Sequence, residues 1–379
     1  MTSSQPSSPN GNRKIRYAVV GLGWFAQEAA LPAFAQAEHS ELVALVSDNP
    51  TKLKELGQKY GIQHTYSYDQ YEDCLTSGEV DAVYIALPNH LHSEYTVRAA
   101  NQGIHVMCEK PMAVTEDECE QMIHACKSNS VKLMIAYRLH LEPANMQAVE
   151  VVRSGQIGEP RIFNSVFTQQ VTDAGNIRLR KITGGGTIDD IGIYCINAAR
   201  YLFQDEPIEV FAVAANKGEQ RFAEVEEMTS VIMRFSDERL ATFTVSFGAA
   251  QVSTYQVVGT KGDLRLDPAY AWFGELKHYL TINGETKEQS FPPHSQLAAE
   301  FTYFSDCILQ NKDPEPSGME GLNDVRIIRA LYQSIEQGQP VKLQLDYHQR
   351  PTVDQAIQRP PVEAKPDLIH AASPGGSKL

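Results

Sequence analysis

The feature that most constrains this 379-residue chain is a glycine turn placed directly after an apolar run of strand length. Residues 15–20 read IRYAVV, and Gly21-Leu22-Gly23-Trp24-Phe25-Ala26 follows at once in the pattern G-x-G-x-x-A. Gly21 permits a tight turn, Gly23 lets the backbone approach a pyrophosphate, and Ala26 lets a helix pack closely on the strand. A helix N-terminus then offers free N–H groups and a positive dipole end to a phosphate. A lone match of this kind is weak. Here a strand precedes it and a helical segment over 24–37 follows, which is the context that dinucleotide binding requires. A purely structural glycine turn is the weaker alternative.

The pattern continues in the same sense. Strands are predicted over 41–47, 81–87, 103–109 and 131–137, with helices over 50–61, 90–102 and 115–128. Strands alternating with helices imply a parallel sheet covered on both faces. After a helix over 142–154 the rhythm changes. Longer β-rich runs over 161–171, 209–215, 229–235, 240–247 and 253–259 point to a mostly antiparallel sheet. A glycine-led helix over 187–203 is inserted among them, and helices near 294–311 and 320–337 follow. The fold class is therefore α/β: an N-terminal Rossmann dinucleotide-binding domain plus a C-terminal α+β domain. The division reads as a flexible polar arm (1–13), a Rossmann domain (14–136), a substrate and oligomerisation domain (137–349) and a Pro-rich tail (350–379), the tail loose at its end.

Charge narrows the partners. With 33 Lys and Arg against 47 Asp and Glu the net charge is −14, which argues against nucleic-acid binding. No apolar run approaches the roughly 18–20 residues of a membrane span. The first 13 residues lack the apolar core of a secretory signal. The six cysteines form no CxxC pair and read as reduced thiols of a cytoplasmic protein, with no metal site expected.

Site candidates lie where the sheet presents its strand ends, because ligands bind there in open α/β sheets. The second strand ends in Val46-Ser47-Asp48-Asn49. An acid at this point favours a free ribose 2′-hydroxyl and hence NAD, whereas Ser47 and Lys52 suit a 2′-phosphate; these residues leave the choice even. Leu87-Pro88-Asn89-His90-Leu91-His92 follows the third core strand, Cys108-Glu109-Lys110-Pro111 the fourth, and Tyr137-Arg138 the fifth. Further on, Gly184-Gly185-Gly186 opens a helix that carries Asp190 and Tyr194. Four residues apart, these two share a helix face. A tyrosine acts as a general base only if its pKa falls well below about 10, and a nearby lysine cation favours the phenolate. A carboxylate can then fix the lysine and grip a sugar hydroxyl. Alone, Asp190 and Tyr194 would read as a helix-start charge and a packing aromatic; the glycines and Lys110 reverse that preference.

With these motifs (VVGLGWFA, DAVYIALPNHLH, HVMCEKPMA, LMIAYRLHLEP and RLRKITGGGTIDDIGIYCINAARYL) the chain resembles the Gfo/Idh/MocA oxidoreductases, and within them the glucose–fructose oxidoreductase branch. The resemblance runs from about Lys14 to Leu343. It implies a second domain with an open-faced sheet and a homodimer or homotetramer that pairs those faces. It implies Lys110, Asp190 and Tyr194 as the catalytic set. It implies cofactor contacts from Gly21, Gly23, Ser47, Lys52, Pro88, Asn89, Glu109 and Arg138, to which Trp24, Phe25, Asp48, Leu87, His92 and Lys110 are added as candidates from their places in the glycine turn and at the strand ends. The serine and lysine favour NADP, with NAD as the alternative because the branch has a small residue at Asp48. The implied activity is oxidation of an aldose at C1 to the aldonolactone, coupled to reduction of a second sugar on a retained cofactor. The alternatives are an aldose 1-dehydrogenase with exchanging cofactor, a reductase of a related carbonyl, and a non-catalytic nucleotide sensor.

Overall fold

A computed structural model describes residues 13–346, 351–362 and 365–375. Apart from Arg13, the arm expected over 1–13 lies outside the described residues. The first sheet has six strands: β1 (Ile15–Val20), β2 (Ser40–Val46), β3 (His64–Tyr66), β4 (Ala82–Ile85), β5 (His105–Glu109) and β6 (Leu133–Ala136). Their order is β3-β2-β1-β4-β5-β6, and every pair is parallel. β4 and β6 are buried at every position, which is why they read as unbroken apolar runs. Strand order reverses between β1 and β4. That reversal opens a crevice beyond their carboxyl ends.

The helical segment over 24–37 is not one regular helix. A π-helical turn (Ala26–Ala30) passes into an α turn (Leu31–Ala33) and a 3-10 turn (Phe34–Gln36). Pro32 supplies no N–H, so the ordinary ladder cannot run through it. The sequence also hid β3, whose three residues are largely exposed and carry no apolar run.

The second sheet has nine strands in the order β14-β13-β12-β11-β7-β10-β9-β8-β15. They are β7 (Pro160–Thr168), β8 (Pro207–Ala215), β9 (Met228–Phe235), β10 (Leu240–Ser246), β11 (Val252–Gly259), β12 (Gly262–Leu266), β13 (Leu276–Ile282), β14 (Glu285–Phe291) and β15 (Val341–Lys342). β7 and β10 pair in parallel and the other pairs are antiparallel. The helices Ile193–Phe203 and Gly318–Gln337 pack on one face. The other face is open, with Ile162, Ile208, Val213, Ile232 and Leu240 between 42% and 56% exposed. Fully buried Arg200 ties the two helices together, bonding Glu206 at 2.7 Å, Glu320 at 2.9 Å and also Asp324.

Two segments depart from the sequence division. The helix Gln296–Leu309 follows the second sheet in the chain but packs on the first. Ser305 Oγ lies 2.9 Å from the Tyr17 hydroxyl, and the Phe301 ring meets Tyr17 and Tyr84 edge-on. Without it those tyrosines would face water. The tail, expected to be loose at its end, is docked over its described residues: Ser295 donates its N–H to the Arg359 carbonyl, Ile357 donates to that of Leu141, and Arg359 pairs with Glu38 at 2.8 Å; residues 376–379 lie outside the described residues. All six cysteines are buried and free. Among the described residues no helix is long and apolar enough to cross a membrane.

Candidate active site

The glycine turn sits at the point where strand order reverses. Gly21 N–H reaches the Val46 carbonyl at 3.0 Å, and Ala86 N–H reaches Val20 at 2.8 Å, so the turn is held between β2 and β4. Gly21 has φ +96°, and a Cβ there would lie 2.6 Å from the Ala86 carbonyl oxygen. Only glycine fits that position. Around Gly23 the space is open to 4 Å, which leaves the backbone approachable. The helical turns that follow begin without a side-chain cap, and uncapped N–H groups at a helix start can serve a phosphate.

The end of β2 bears on the choice between NAD and NADP. Asp48 is exposed, and one of its carboxylate oxygens is engaged, Oδ1 accepting the Tyr68 N–H at 2.8 Å. Ser47 is buried. Burial lowers the Lys52 pKa, and no carboxylate pairs with that ammonium among the described residues. Asn49 Oδ1 caps the helix Pro50–Tyr60 by accepting the Lys52 N–H at 3.1 Å. A hydroxyl and an unpaired cation, with the nearby acid tied elsewhere, fit a 2′-phosphate better than a bare hydroxyl.

The chemical half of the cleft is built by both sheets. Lys110, at the end of β5, donates from Nζ to the Asp190 carbonyl at 2.8 Å and lies 3.4 Å from its Oδ1. Nζ stands 4.7 Å from the centre of the Tyr194 ring. From β6, Arg138 Nε donates to the Tyr194 hydroxyl at 3.2 Å, and its guanidinium lies 4.8 Å from the same ring. Arg138 is itself fixed by the Gln296 side chain and the Tyr270 carbonyl. The Asp190 Oδ2 accepts from Arg178 at 2.7 Å and from Gln169 at 3.1 Å. Burial alone would push Asp190 up and Lys110 down. Arg178 and Lys110 outweigh it and hold Asp190 below the usual carboxylate range; Tyr194 and Asp190 outweigh it and raise Lys110. Both groups are therefore charged at neutral pH. Burial also raises the Glu109 carboxyl against the pull of Lys110, and Glu109 accepts from the Tyr84 hydroxyl at 2.5 Å.

The local backbone explains how Asp190 and Tyr194 reach the cleft. Residues Ile188–Gly192 form a π-helical turn that runs into the helix Ile193–Phe203. The glycines before it are required: Gly186 has φ +145°, and a Cβ there would come within 2.9 Å of the Asp189 carboxylate. Asn89 Nδ2 clasps the Gly184 carbonyl at 2.8 Å, which joins the two domains at this loop.

The cleft encloses about 1350 Å³ free of protein atoms, solvent mouth included. Of the expected residues, Gly23, Trp24, Phe25, Leu87, Asn89, Glu109, Lys110, Arg138, Asp190 and Tyr194 line it. Gly21 shapes the turn behind it, and Ser47 and Lys52 lie at the far end of β2. Pro88 starts the short helical turn that carries Asn89. His92 does not reach the cleft. It is fully buried, with one ring nitrogen 2.9 Å from the Leu87 carbonyl and the other 2.9 Å from that of Pro111. It pins the two strand ends together, a task that the segment Leu87–His92 gives no sign of in sequence. Arg178, Gln169 and Trp272 went unread. Trp272 packs edge-on against Trp24 and Phe25, and Arg178 lies 5.7 Å from the Trp24 ring. Gln169 ends a strand-like run and Arg178 and Trp272 sit on segments without periodicity, and folding alone brings the three here.

Comparison with known proteins agrees with this geometry. Residues 15–137 match the model of an oxidoreductase family with an NAD-binding Rossmann fold, and residues 145–265 match the GFO/IDH/MocA C-terminal domain. A D-xylose 1-dehydrogenase [NADP(+)] from Haloarcula marismortui is 34% identical over 336 residues, 87% of this chain and 93% of that one. The crystal structure of an aldose-aldose oxidoreductase from Caulobacter crescentus, complexed with glycerol, is 40% identical. It superposes with a TM-score of 0.84 over 87% of this chain and 100% of that one. A 3-ketoreductase from Actinomadura kijaniata, solved with NADP and TDP-benzene, is 26% identical with a TM-score of 0.78 over 85% of this chain and 98% of that one. The chain belongs to the Gfo/Idh/MocA oxidoreductase family.

Proposed function

We propose that the protein is an NADP(H)-dependent sugar oxidoreductase that oxidises an aldose at C1 to its aldonolactone. The observation that carries this reading is the meeting of Lys110, Asp190, Arg138 and Tyr194 in one cleft that the glycine turn also lines. Bound NADP(H) supplies the hydride acceptor or donor. The chain's own groups manage the proton and the charge. The Tyr194 oxygen takes the proton of the C1 hydroxyl as the C1–H bond breaks. Lys110 and Arg138, both close to that ring, stabilise negative charge on its oxygen. Asp190 holds Lys110 in place and is itself held by Arg178 and Gln169, so the set is fixed before substrate arrives. The 2′ end of the cofactor is met by Ser47 and Lys52.

Two relatives support two versions of the activity. The aldose-aldose oxidoreductase favours transfer between two sugars on a retained cofactor. The xylose dehydrogenase favours an exchanging cofactor. We favour the first version, on the 40% identity. The open face of the second sheet, with its exposed Ile, Val and Leu side chains, suits pairing with a second copy as a homodimer or homotetramer. Six buried free thiols suit the cytoplasm.

The test has two parts. Any nucleotide that copurifies is released and identified. Turnover is then compared between an aldose with free NADP+ and a mixture of two sugars without added cofactor. Activity in the second mixture supports transfer on a retained cofactor; activity in the first alone supports the dehydrogenase. No aldose oxidation in either mixture would overturn the sugar assignment.

A further inference from the structure

We propose that the C-terminal segment 365–375 completes the adenosine end of the dinucleotide site, with His370 as a ligand for the phosphate on the ribose 2′ position. The proposal rests on the reading of the cleft as an NADP(H) site.

Three contacts place the segment. First, Ile369 is paired in both directions with the Gln27 side chain: its N–H donates to Gln27 Oε1 at 2.7 Å, and its carbonyl accepts from Gln27 Nε2 at 2.9 Å. Gln27 is 1% exposed, and the same Nε2 lies 3.0 Å from the Leu22 carbonyl inside the glycine turn. One amide thus registers the tail on the nucleotide loop as a strand partner would. Second, His370, with φ +46°, turns its ring to Asn49; the Asn49 amide nitrogen lies 3.3 Å from His370 Nδ1. With Nδ1 accepting from that amide, the proton of the neutral ring sits on Nε2, a free donor. Third, Pro374 is buried, and its carbonyl accepts the Thr172 N–H at 3.1 Å. Thr172 lies on the loop that carries Gln169 to Asp190. Within six residues the tail therefore crosses from the nucleotide lip of the cleft to its catalytic lip. Lys365 anchors the approach, pairing with buried Glu28 at 3.2 Å and standing 4.8 Å from the Phe273 ring.

The chemistry at the His370 end is selective. Asn49 is locked by its own bonds, accepting from Lys52 N–H and donating its N–H to Ser47 Oγ. It therefore presents His370 to the strand end where Ser47 and Lys52 stand. A phosphate there accepts from a hydroxyl, an ammonium and the imidazole N–H. A bare 2′-hydroxyl lacks the charge to reward them. A segment fastened on both lips also has to open before the adenosine can leave, which slows release.

The test uses the full-length chain, His370→Ala, and a chain lacking residues 365–379. Binding of NADPH and NADH is measured by nucleotide fluorescence, and NADPH release by stopped-flow displacement. We expect His370→Ala to weaken NADPH about tenfold and NADH less than twofold. Loss of the segment should speed NADPH release at least tenfold. Hydrogen exchange of the amides around Ile369 should slow when NADPH binds the full-length chain. An unchanged NADPH-to-NADH preference in His370→Ala overturns the proposal, as does release at the full-length rate from a folded truncated chain. His370→Ala keeps the whole chain, so the test stands even where the truncated chain does not fold. A full-length chain that binds neither nucleotide overturns the reading of the cleft, and this proposal with it.

Discussion

Replacing Tyr194 by Phe removes one oxygen and leaves everything around the ring in place. The ring keeps its contacts with Phe167 at 5.6 Å and Tyr270 at 6.0 Å, and the cations Lys110 and Arg138 remain over it. The lost oxygen has Arg138 Nε as its hydrogen-bond partner, at 3.2 Å. Arg138 is still held by Gln296 and Tyr270, so the structural loss belongs at the low end for a bond to a charged group, about 1.5 kcal/mol. That corresponds to a fall in Tm of roughly 3–6 °C. The chemical loss is larger. Proton transfer by a positioned side chain contributes roughly 10²–10⁴-fold, or about 3–5.5 kcal/mol. The variant should fold, bind NADPH within about twofold of wild type, and reduce bound NADP+ with aldose 10²–10⁴-fold more slowly. Single-turnover absorbance of the reduced nicotinamide is the right assay, because it excludes slow cofactor release from the measured rate. A single-turnover rate within about threefold of wild type would remove Tyr194 from the proton transfer. So would a loss of rate matched by an equal loss of NADPH affinity.

Other perturbations follow from the same geometry. Lys52→Ala should weaken NADPH about tenfold and leave NADH nearly unchanged, since it removes a cation that no carboxylate among the described residues neutralises; equal effects on both nucleotides in titrations would refute its role at the 2′ end. Gly21→Ala should abolish dinucleotide binding, because its Cβ would lie 2.6 Å from the Ala86 carbonyl oxygen at φ +96°; normal binding by calorimetry would contradict that. Arg200→Ala should cost about 3–5 kcal/mol in a denaturant titration, since it strands Glu206, Glu320 and Asp324 around a buried position; a loss below about 1 kcal/mol would refute the network's importance. Burial, against the pull of the Tyr332 hydroxyl, pushes Asp189 up to about 7. The folded chain therefore holds this proton where the unfolded chain releases it near pH 4. Its stabilising effect is complete below about pH 4 and is lost as pH rises to about 7, by at most roughly 4 kcal/mol. Asp189→Asn should flatten stability between pH 5 and pH 8, and an unaltered slope would count against the assignment.

The limits of reading this chain from sequence have physical causes that particular residues make plain. The glycine turn was legible because its determinants are local: the positive φ of Gly21 and the strand before it lie within a few residues of each other. Asp190 and Tyr194 were legible because helical spacing places them on one side, even though the turn between them is π-helical. Strands β12 to β14 were not: β14 reads ETKEQSF and is exposed at six of its seven positions, so no apolar alternation marks it. Arg178 was missed for a different reason. It bonds Asp190 at 2.7 Å, a contact between residues twelve apart that exists only once the chain has folded around the cleft.

Asp48 shows the same logic in reverse. As a residue type at the end of β2 it argued for NAD, and no amount of local pattern could overrule that. What weighs against it is one hydrogen bond from the Tyr68 N–H, a residue beyond β3, which engages one oxygen of that carboxylate beside the buried Ser47. The sign of the electrostatics at a cofactor's ribose is thus set by where a side chain points, and that is decided by a strand too short and too polar to announce itself. The tail makes a parallel case. Its Pro-rich composition argued for a loose end, because composition measures how much apolar surface a segment can bury by itself. A segment that docks on an existing surface need bury little of its own, and here one glutamine amide and a few main-chain bonds fix it beside the glycine turn.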